Sequence, residues 1–216
     1  MMAATVTETM VESDFFAHPK ALVESTDIGP HTRVWAFAHI MEGARVGAHC
    51  NIGDHAFVES GAVLGNNVTV KNGVAIWDRV TIEDNVFLGP NCVLTNDLNP
   101  RAYLKKSGDA LVSTLIRANA TIGANVTVVC GITIGRYAFI GAGAVVIRSV
   151  PDFALVVGNP SRQIGWMCAC AQKLPMSPWA QHGSSTTCPH CRRSFTLAPG
   201  GLSMDGESLA EQGENQ

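Results

Sequence analysis

The sequence predicts an all-β fold: a solenoid of short strands wound in three-sided coils, with one excursion loop and a small cysteine-rich C-terminal extension. Three observations predict it. Every sixth residue from Leu22 (Leu22, Ile28, Val34 and so on to Leu94) is Leu, Ile or Val, and after a break the series runs from Ile116 to Val146, filling 19 of 19 positions. Two residues before each aliphatic stands a small or β-branched one, such as Thr26, Ala38, Ala44, Cys50, Val68 and Ile132. Residues i and i−2 share one face of a strand, so both registers point inward. Glycine often follows the aliphatic (Gly29, Gly47, Gly53, Gly65, Gly89, Gly123, Gly135, Gly141), as sharp corners require. A period of six is neither helical nor two-fold alternation. It describes a short strand and a turn, three of which close an 18-residue coil around an aliphatic column. An ordinary β-sandwich fails because the period does not drift over thirteen units.

Composition agrees. The 216 residues are 46% hydrophobic but only 15% charged, with 21 glycines and a net charge of −3. This excludes a disordered chain, a coiled coil and a basic nucleic-acid module. The longest apolar run, Phe139 to Ile147, is half of a membrane span, and the N-terminus lacks the pattern of a secretory signal. A cytoplasmic protein with no nucleic-acid or membrane partner is expected.

From Leu94 to Ile116 the spacing is 22, not a multiple of six, so residues 95–115 must leave the coil and return. Loops this long in compact domains tend to be functional. Arg101, Lys105, Lys106 and Arg117 outweigh Asp97 and Asp109 there, a basic excursion on an acidic body that suits a phosphate-bearing ligand. One coil back from Thr95–Asn96 lie Trp77 and Asp78, and two coils back Glu59 and Ser60, so these share one edge beneath the loop. The indole of Trp77 suits stacking on a base or sugar, or cover for a neighbouring subunit.

Cys50 and Cys92 fall in the inward register and are core residues. Beyond the solenoid, Cys168, Cys170, Cys188 and Cys191 form two close pairs of the kind that hold a structural Zn²⁺. His31 and His49, 18 residues apart, stack along one edge and continue as Asn67 and Asn85. His55 is the best of several poor candidates for a general base.

Over residues 22 to 148 the repeat resembles the left-handed parallel β-helix of hexapeptide-repeat acyltransferases. The segments TND–NPR (Thr95 to Asp97, Asn99 to Arg101), TIGANVTVVCGITIGRYAFIGAGAVV (121 to 146) and VPDFALVVGNPSRQIGWMC (150 to 168) resemble bacterial N-acetyltransferases of nucleotide-linked 3-amino sugars, notably the UDP-2-acetamido-3-amino-2,3-dideoxyglucuronate enzymes. The segments WAFAHI, CNIGDHAFVE and VTVKNGVAIWD are nearer to enzymes acting on dTDP-3-amino-3,6-dideoxyhexoses. The domains expected are a β-helix over residues 18–166, a zinc-ribbon-like extension at 167–197 that the cysteine spacing suggests, and a tail at 198–216 whose composition reads as disordered. The resemblance implies an acetyl-CoA-dependent N-acetyltransferase of bacterial surface polysaccharide (lipopolysaccharide) biosynthesis, working as a homotrimer. The UDP-linked 3-amino uronate is the favoured acceptor, a dTDP-3-amino-3,6-dideoxyhexose the alternative, and O-acetylation by the same fold a further one. Asn96 would position the amine, with Trp77, Asp78, Asn99 and Arg101 on the nucleotide sugar. Gly123, Gly141, Ala142, Asn159, Pro160 and Arg162 would hold acetyl-CoA.

Overall fold

A computed structural model describes residues 14–205. Strands of mostly two residues stack into three parallel sheets that form the faces of a prism. The first face runs from Phe16–Ala17 through Asn51–Ile52, Thr121–Ile122 and Phe139–Ile140 to Ala154–Val157. The second runs from Leu22–Val23 through His39–Ile40, Ala75–Ile76 and Val93–Leu94 to Val145–Val146. The third runs from Arg45–Val46 through Val80–Ile82 and Thr114–Ile116 to Thr133–Ile134. Partners lie one coil apart in sequence, as in Asn51 with Thr69 and Ala75 with Val93. Across the excursion the offset grows, and Val80 pairs with Thr114.

The inward column is as the periodicity requires. Ile40, Ile52, Ile76, Ile122 and Ile140 are fully buried, as are Ala38, Ala44, Ala120 and Ala144 between them. Each buried Ile contributes roughly 1.5–3 kcal/mol. The thiols of Cys50 and Cys92 lie in this column, where burial raises the pKa of both, that of Cys92 to about 12, and leaves them inert.

Several expectations need correction. Val23, not Leu22, pairs with Ile40, while Leu22 is exposed; the first coil is one residue short, and Ser25 rather than Thr26 turns inward, its hydroxyl donating to the Ala44 carbonyl. Ile132 is only partly buried. The solenoid begins before residue 18, since Phe16–Ala17 pairs with Arg33–Val34.

The corner glycines also act differently. The left-handed residue is the third after most of the aliphatics, a row that includes His31, Phe37, Gly43, His49, His55, Gly61 and Asn67. The glycines directly after the aliphatic serve close approach between coils: a Cβ on Gly47 would stand 2.4 Å from the Gly65 carbonyl oxygen. Side chains of the left-handed row stack coil on coil as the spacing predicts. The rings of His31 and His49 lie 4.9 Å apart, and Asn67 donates to Asn85 at 2.8 Å.

After the last coil, Arg162–Trp166 folds back antiparallel on Ala154–Val157. A three-stranded antiparallel sheet, Ser185–Thr187, Ser194–Ala198 and Gly201–Met204, follows and closes the end of the prism. Phe195 meets Phe153 edge-on at 5.3 Å, and Gly201 bridges to Asp152. The segment from 198 is therefore ordered through Met204, contrary to its composition, because Leu197 and Leu202 are buried in this cap. The remainder of the expected tail, 206–216, lies outside the described residues. Among the described residues no helix is long and apolar enough to cross a membrane.

Candidate active site

The excursion leaves after Leu94 and rejoins the third face at Thr114. It is held to the prism at both ends. The Val112 amide donates to the Asn96 carbonyl at 2.8 Å, and Arg79 pairs with Asp109 at 2.9 Å. Within the loop, the Lys106 ammonium bonds the Asp97 carboxylate at 2.5 Å and the Asn99 carbonyl at 3.0 Å. That ammonium, together with the Asn99 amide, holds the Asp97 carboxyl below its ordinary pKa.

Beneath the loop, on the edge between the second and third faces, is an open cavity of about 670 Å³. Its floor is the column that coil stacking predicts: Glu59 and Ser60, Trp77 and Asp78, then Asn96. Arg101, Lys105 and Lys106 come from the loop, and Met41, Leu104 and Leu111 add apolar wall. The column is hydrogen-bonded along its length. The Asp78 amide donates to Glu59 Oε2 at 2.8 Å, and Asn96 Nδ2 donates to the Asp78 carbonyl at 3.4 Å. With its nitrogen so engaged, the Asn96 amide keeps its oxygen as an acceptor. Trp77 is half-buried, its ring 5.4 Å from that of Phe57.

Other expected residues fall elsewhere. Asn99 does not line the cavity; it serves the loop through its backbone. Arg117 belongs to the prism body, facing Asp152 at 3.7 Å and Glu83 at 4.0 Å. The cavity is therefore not the net basic surface that the loop's composition implies: three cations face Glu59, Asp78 and Asp97. No histidine lines it, and His55 stacks on Phe37 at 5.0 Å along the edge between the first and second faces. Met41, Leu104 and Leu111 were missed by sequence reasoning; adding one more coil length below Glu59 points to Met41, but nothing marks the two leucines.

The residues expected to hold acetyl-CoA share that other edge. Gly123 and Gly141–Ala142 close strands of the first face. A Cβ on Gly123 would lie 2.6 Å from the Ala142 amide, so packing alone demands this glycine. Asn159, Pro160 and Arg162 form an exposed hairpin beside the last coil, where the Ser161 amide donates to the Val145 carbonyl.

In the cap, Cys168, Cys170, Cys188 and Cys191 bring four Sγ atoms within 4.8 Å of one another. Backbone amides directed at the sulfurs lower the pKa of Cys188 and Cys191, the latter to about 6, whereas burial raises those of Cys168 and Cys170.

Residues 25–60, 61–96 and 113–148 each match the bacterial transferase hexapeptide model, six repeats at a time. The chain is 53% identical over 159 residues to dTDP-3-amino-3,6-dideoxy-alpha-D-galactopyranose 3-N-acetyltransferase of Aneurinibacillus thermoaerophilus, covering 74% of this chain and 82% of that protein. Among solved structures, the acetyltransferase domain of PglB from Neisseria gonorrhoeae in complex with acetyl coenzyme A is similar at 23% identity and a TM-score of 0.48, covering 69% of this chain and 57% of the other.

Proposed function

This chain belongs to the bacterial hexapeptide-repeat transferases, and on that footing we propose that it is an acetyl-CoA-dependent N-acetyltransferase acting on the 3-amino group of a dTDP-linked 3-amino-3,6-dideoxyhexose. The observation that carries this reading is the likeness to the Aneurinibacillus enzyme. A match covering 159 of 216 residues necessarily runs through both the floor of the cavity and the excursion. The dTDP sugar, not the UDP-linked uronate that the later motifs favour, is therefore the better reading. The cavity supports it. Lys106 is already paired with Asp97, so Arg101 and Lys105 serve the diphosphate and little attraction is left for a further sugar carboxylate beside Glu59 and Asp78. Met41, Leu104 and Leu111 suit a 6-deoxy sugar's methyl group.

Acetyl-CoA supplies an activated acyl carbon; the chain must present a neutral amine to it. An amine flanked by electron-withdrawing oxygens titrates nearer the α-amino value of roughly 7.7–8.0 than that of lysine, so a useful fraction is unprotonated at neutral pH. Orientation then matters more than a strong base. The Asn96 carbonyl oxygen accepts a hydrogen bond from the amine and aims its lone pair, while Asp78 and Glu59 fix the amide from behind. Trp77 and Asp78 contact the nucleotide sugar, and Arg101 and Lys105 its diphosphate. Gly123, Gly141, Ala142 and the Asn159–Arg162 hairpin hold acetyl-CoA, Arg162 offering its guanidinium to a phosphate.

Because these two groups of residues occupy different edges of the prism, one chain does not present both to a single bond. The site is completed between copies, in a homotrimer. O-acetylation needs a base to activate a hydroxyl, and among the described residues of one chain no histidine lines the cavity. The test is thiol release from acetyl-CoA with a panel of dTDP- and UDP-linked 3-amino sugars. Initial rates at least tenfold higher with the dTDP-3-amino-3,6-dideoxyhexose are expected. Preference for the UDP-uronate overturns the substrate, and bound CoA without turnover on any amino sugar overturns the activity.

A further inference from the structure

We propose that the cap is a zinc site, with one Zn²⁺ held by Cys168, Cys170, Cys188 and Cys191 as the clamp that fastens the cap to the end of the solenoid. This site has no part in the acetyl-transfer chemistry and is argued from its own geometry. The sulfurs of Cys168 and Cys191 are 3.4 Å apart, those of Cys170 and Cys188 3.6 Å. A tetrahedral thiolate site with Zn–S of about 2.3 Å has edges of about 3.8 Å. A disulfide needs about 2.05 Å. The separations, all within 4.8 Å, therefore fit four ligands around one ion and not two covalent pairs.

The turns that carry the thiols are built alike. Each cysteine pair is followed by a left-handed residue, Ala171 (φ 62°) and Arg192 (φ 61°), where glycine is the easier choice. The Ala171 amide closes its turn on the Cys168 carbonyl at 2.8 Å, and the Arg192 amide closes on the Cys188 carbonyl at 3.0 Å. Four thiolates with no carboxylate or imidazole select a soft ion and leave no open position for catalysis. Arg193 Nη1, 3.8 Å from the Cys191 sulfur, offsets part of the cluster's negative charge.

The two pairs come from separate pieces of chain. Cys168 follows the strand Arg162–Trp166 that folds back on the last coil, while Cys188 and Cys191 lie in the turn between Ser185–Thr187 and Ser194–Ala198. Apart from this cluster, the small sheet meets the last coil through Phe195, edge-on against Phe153, and through backbone bonds between Asp152 and the Gly200–Leu202 turn. Units of this size generally need a metal or disulfides to hold together.

The test is metal analysis of the full-length chain purified without chelator. About one zinc per chain is expected, released in step with titration of four thiols, and replaceable by Co²⁺ with the visible spectrum of a tetrahedral thiolate complex. Cys170→Ser and Cys188→Ser should each lower zinc affinity at least tenfold. On chelation, hydrogen-exchange protection at residues 194–204 should fall while protection at residues 51–146 stays. Should either variant fail to fold, the thiol titration and the exchange measurement on the unaltered chain decide. Zinc-free protein with native-like protection of the cap, Cys168–Cys191 and Cys170–Cys188 disulfides found by mass spectrometry, or unchanged zinc content in the serine variants would overturn the proposal.

Discussion

The coils and the cap solve the same problem, the covering of apolar surface, in opposite ways. In the coils each aliphatic packs on copies of itself one turn above and below, and the ladder of backbone bonds repeats unchanged from Asn51–Val68 to Thr127–Ala144. In the cap nothing repeats. Phe195, Trp166 and Leu174 fill unlike spaces, and four thiols stand where more core would otherwise be needed. Stability in the first region is spread over many equivalent contacts; in the second it is concentrated in a few.

The largest expected effect that sharpens this contrast is a pair of glycine substitutions. Gly47→Val places a Cβ 2.4 Å from the Gly65 carbonyl oxygen, against the Gly65–Asn66 peptide of the next coil and with no side chain to yield. A loss of more than about 4 kcal/mol is expected, seen as insoluble or unfolded protein. Gly183→Ala, in the extension, meets nothing within 4 Å and carries only the strain of its positive φ. It should cost about 1 kcal/mol, read as a small shift of the denaturation midpoint. Equal damage from both would show that the coils are not packed more tightly than the cap.

Ile76→Ala removes one fully buried member of the column and should cost roughly 2–5 kcal/mol by urea denaturation. Asn96→Ala should leave stability within about 0.5 kcal/mol but slow single-turnover acetyl transfer roughly 10²-fold through lost orientation. His55→Ala, whose ring stacks on Phe37, should slow the chemical step far less than Asn96→Ala; the reverse pattern would move the catalytic role from Asn96 to the histidine.

Much of this was legible because the coils add by fixed increments. Subtracting eighteen from Asn96 finds Asp78, and again finds Ser60, so the floor of the cavity could be assembled without a structure. What escaped was whatever breaks the increment or depends on pairing. The missing residue before Ile28 left Leu22 outside the column. Sequence showed that Lys106 and Asp97 share a loop, not that they neutralise each other, and it assigned Arg117 to that loop when Asp152 and Glu83 hold it on the body. Composition read residues 198–204 as disordered, since what orders them is pairing it does not show: Gly201–Met204 pairs with Ser194–Ala198, and Gly201 bridges to Asp152 far back in the chain.

The Asp97–Lys106 pair gives a smaller, pH-dependent effect. The folded-state pKa of Asp97 is lowered, so its contribution is complete above the ordinary carboxylate value of about 3.9 and disappears as pH falls through the lowered one. Asp97→Asn should therefore speed tryptic cleavage of the excursion at pH 7. By hydrogen exchange, its difference from the unaltered chain should shrink below pH 3 to 4, about where the aspartate itself becomes neutral.

The smallest effect concerns the left-handed row. Asn91 sits at φ 56° with its Oδ1 over Gly73, 2.4 Å from where a Cβ on that glycine would stand. Asparagine tolerates this conformation because its short polar group bonds locally; alanine does not, and glycine needs no such help. Asn91→Ala should thus lower the denaturation midpoint by an amount equivalent to about 1 kcal/mol, and Asn91→Gly by only a few tenths. If alanine proved as good as glycine, backbone strain at the corners would be unimportant. The recurrence of Asn and Gly every six residues would then have to come from contacts between coils, the same cause that fixes the glycines after each aliphatic.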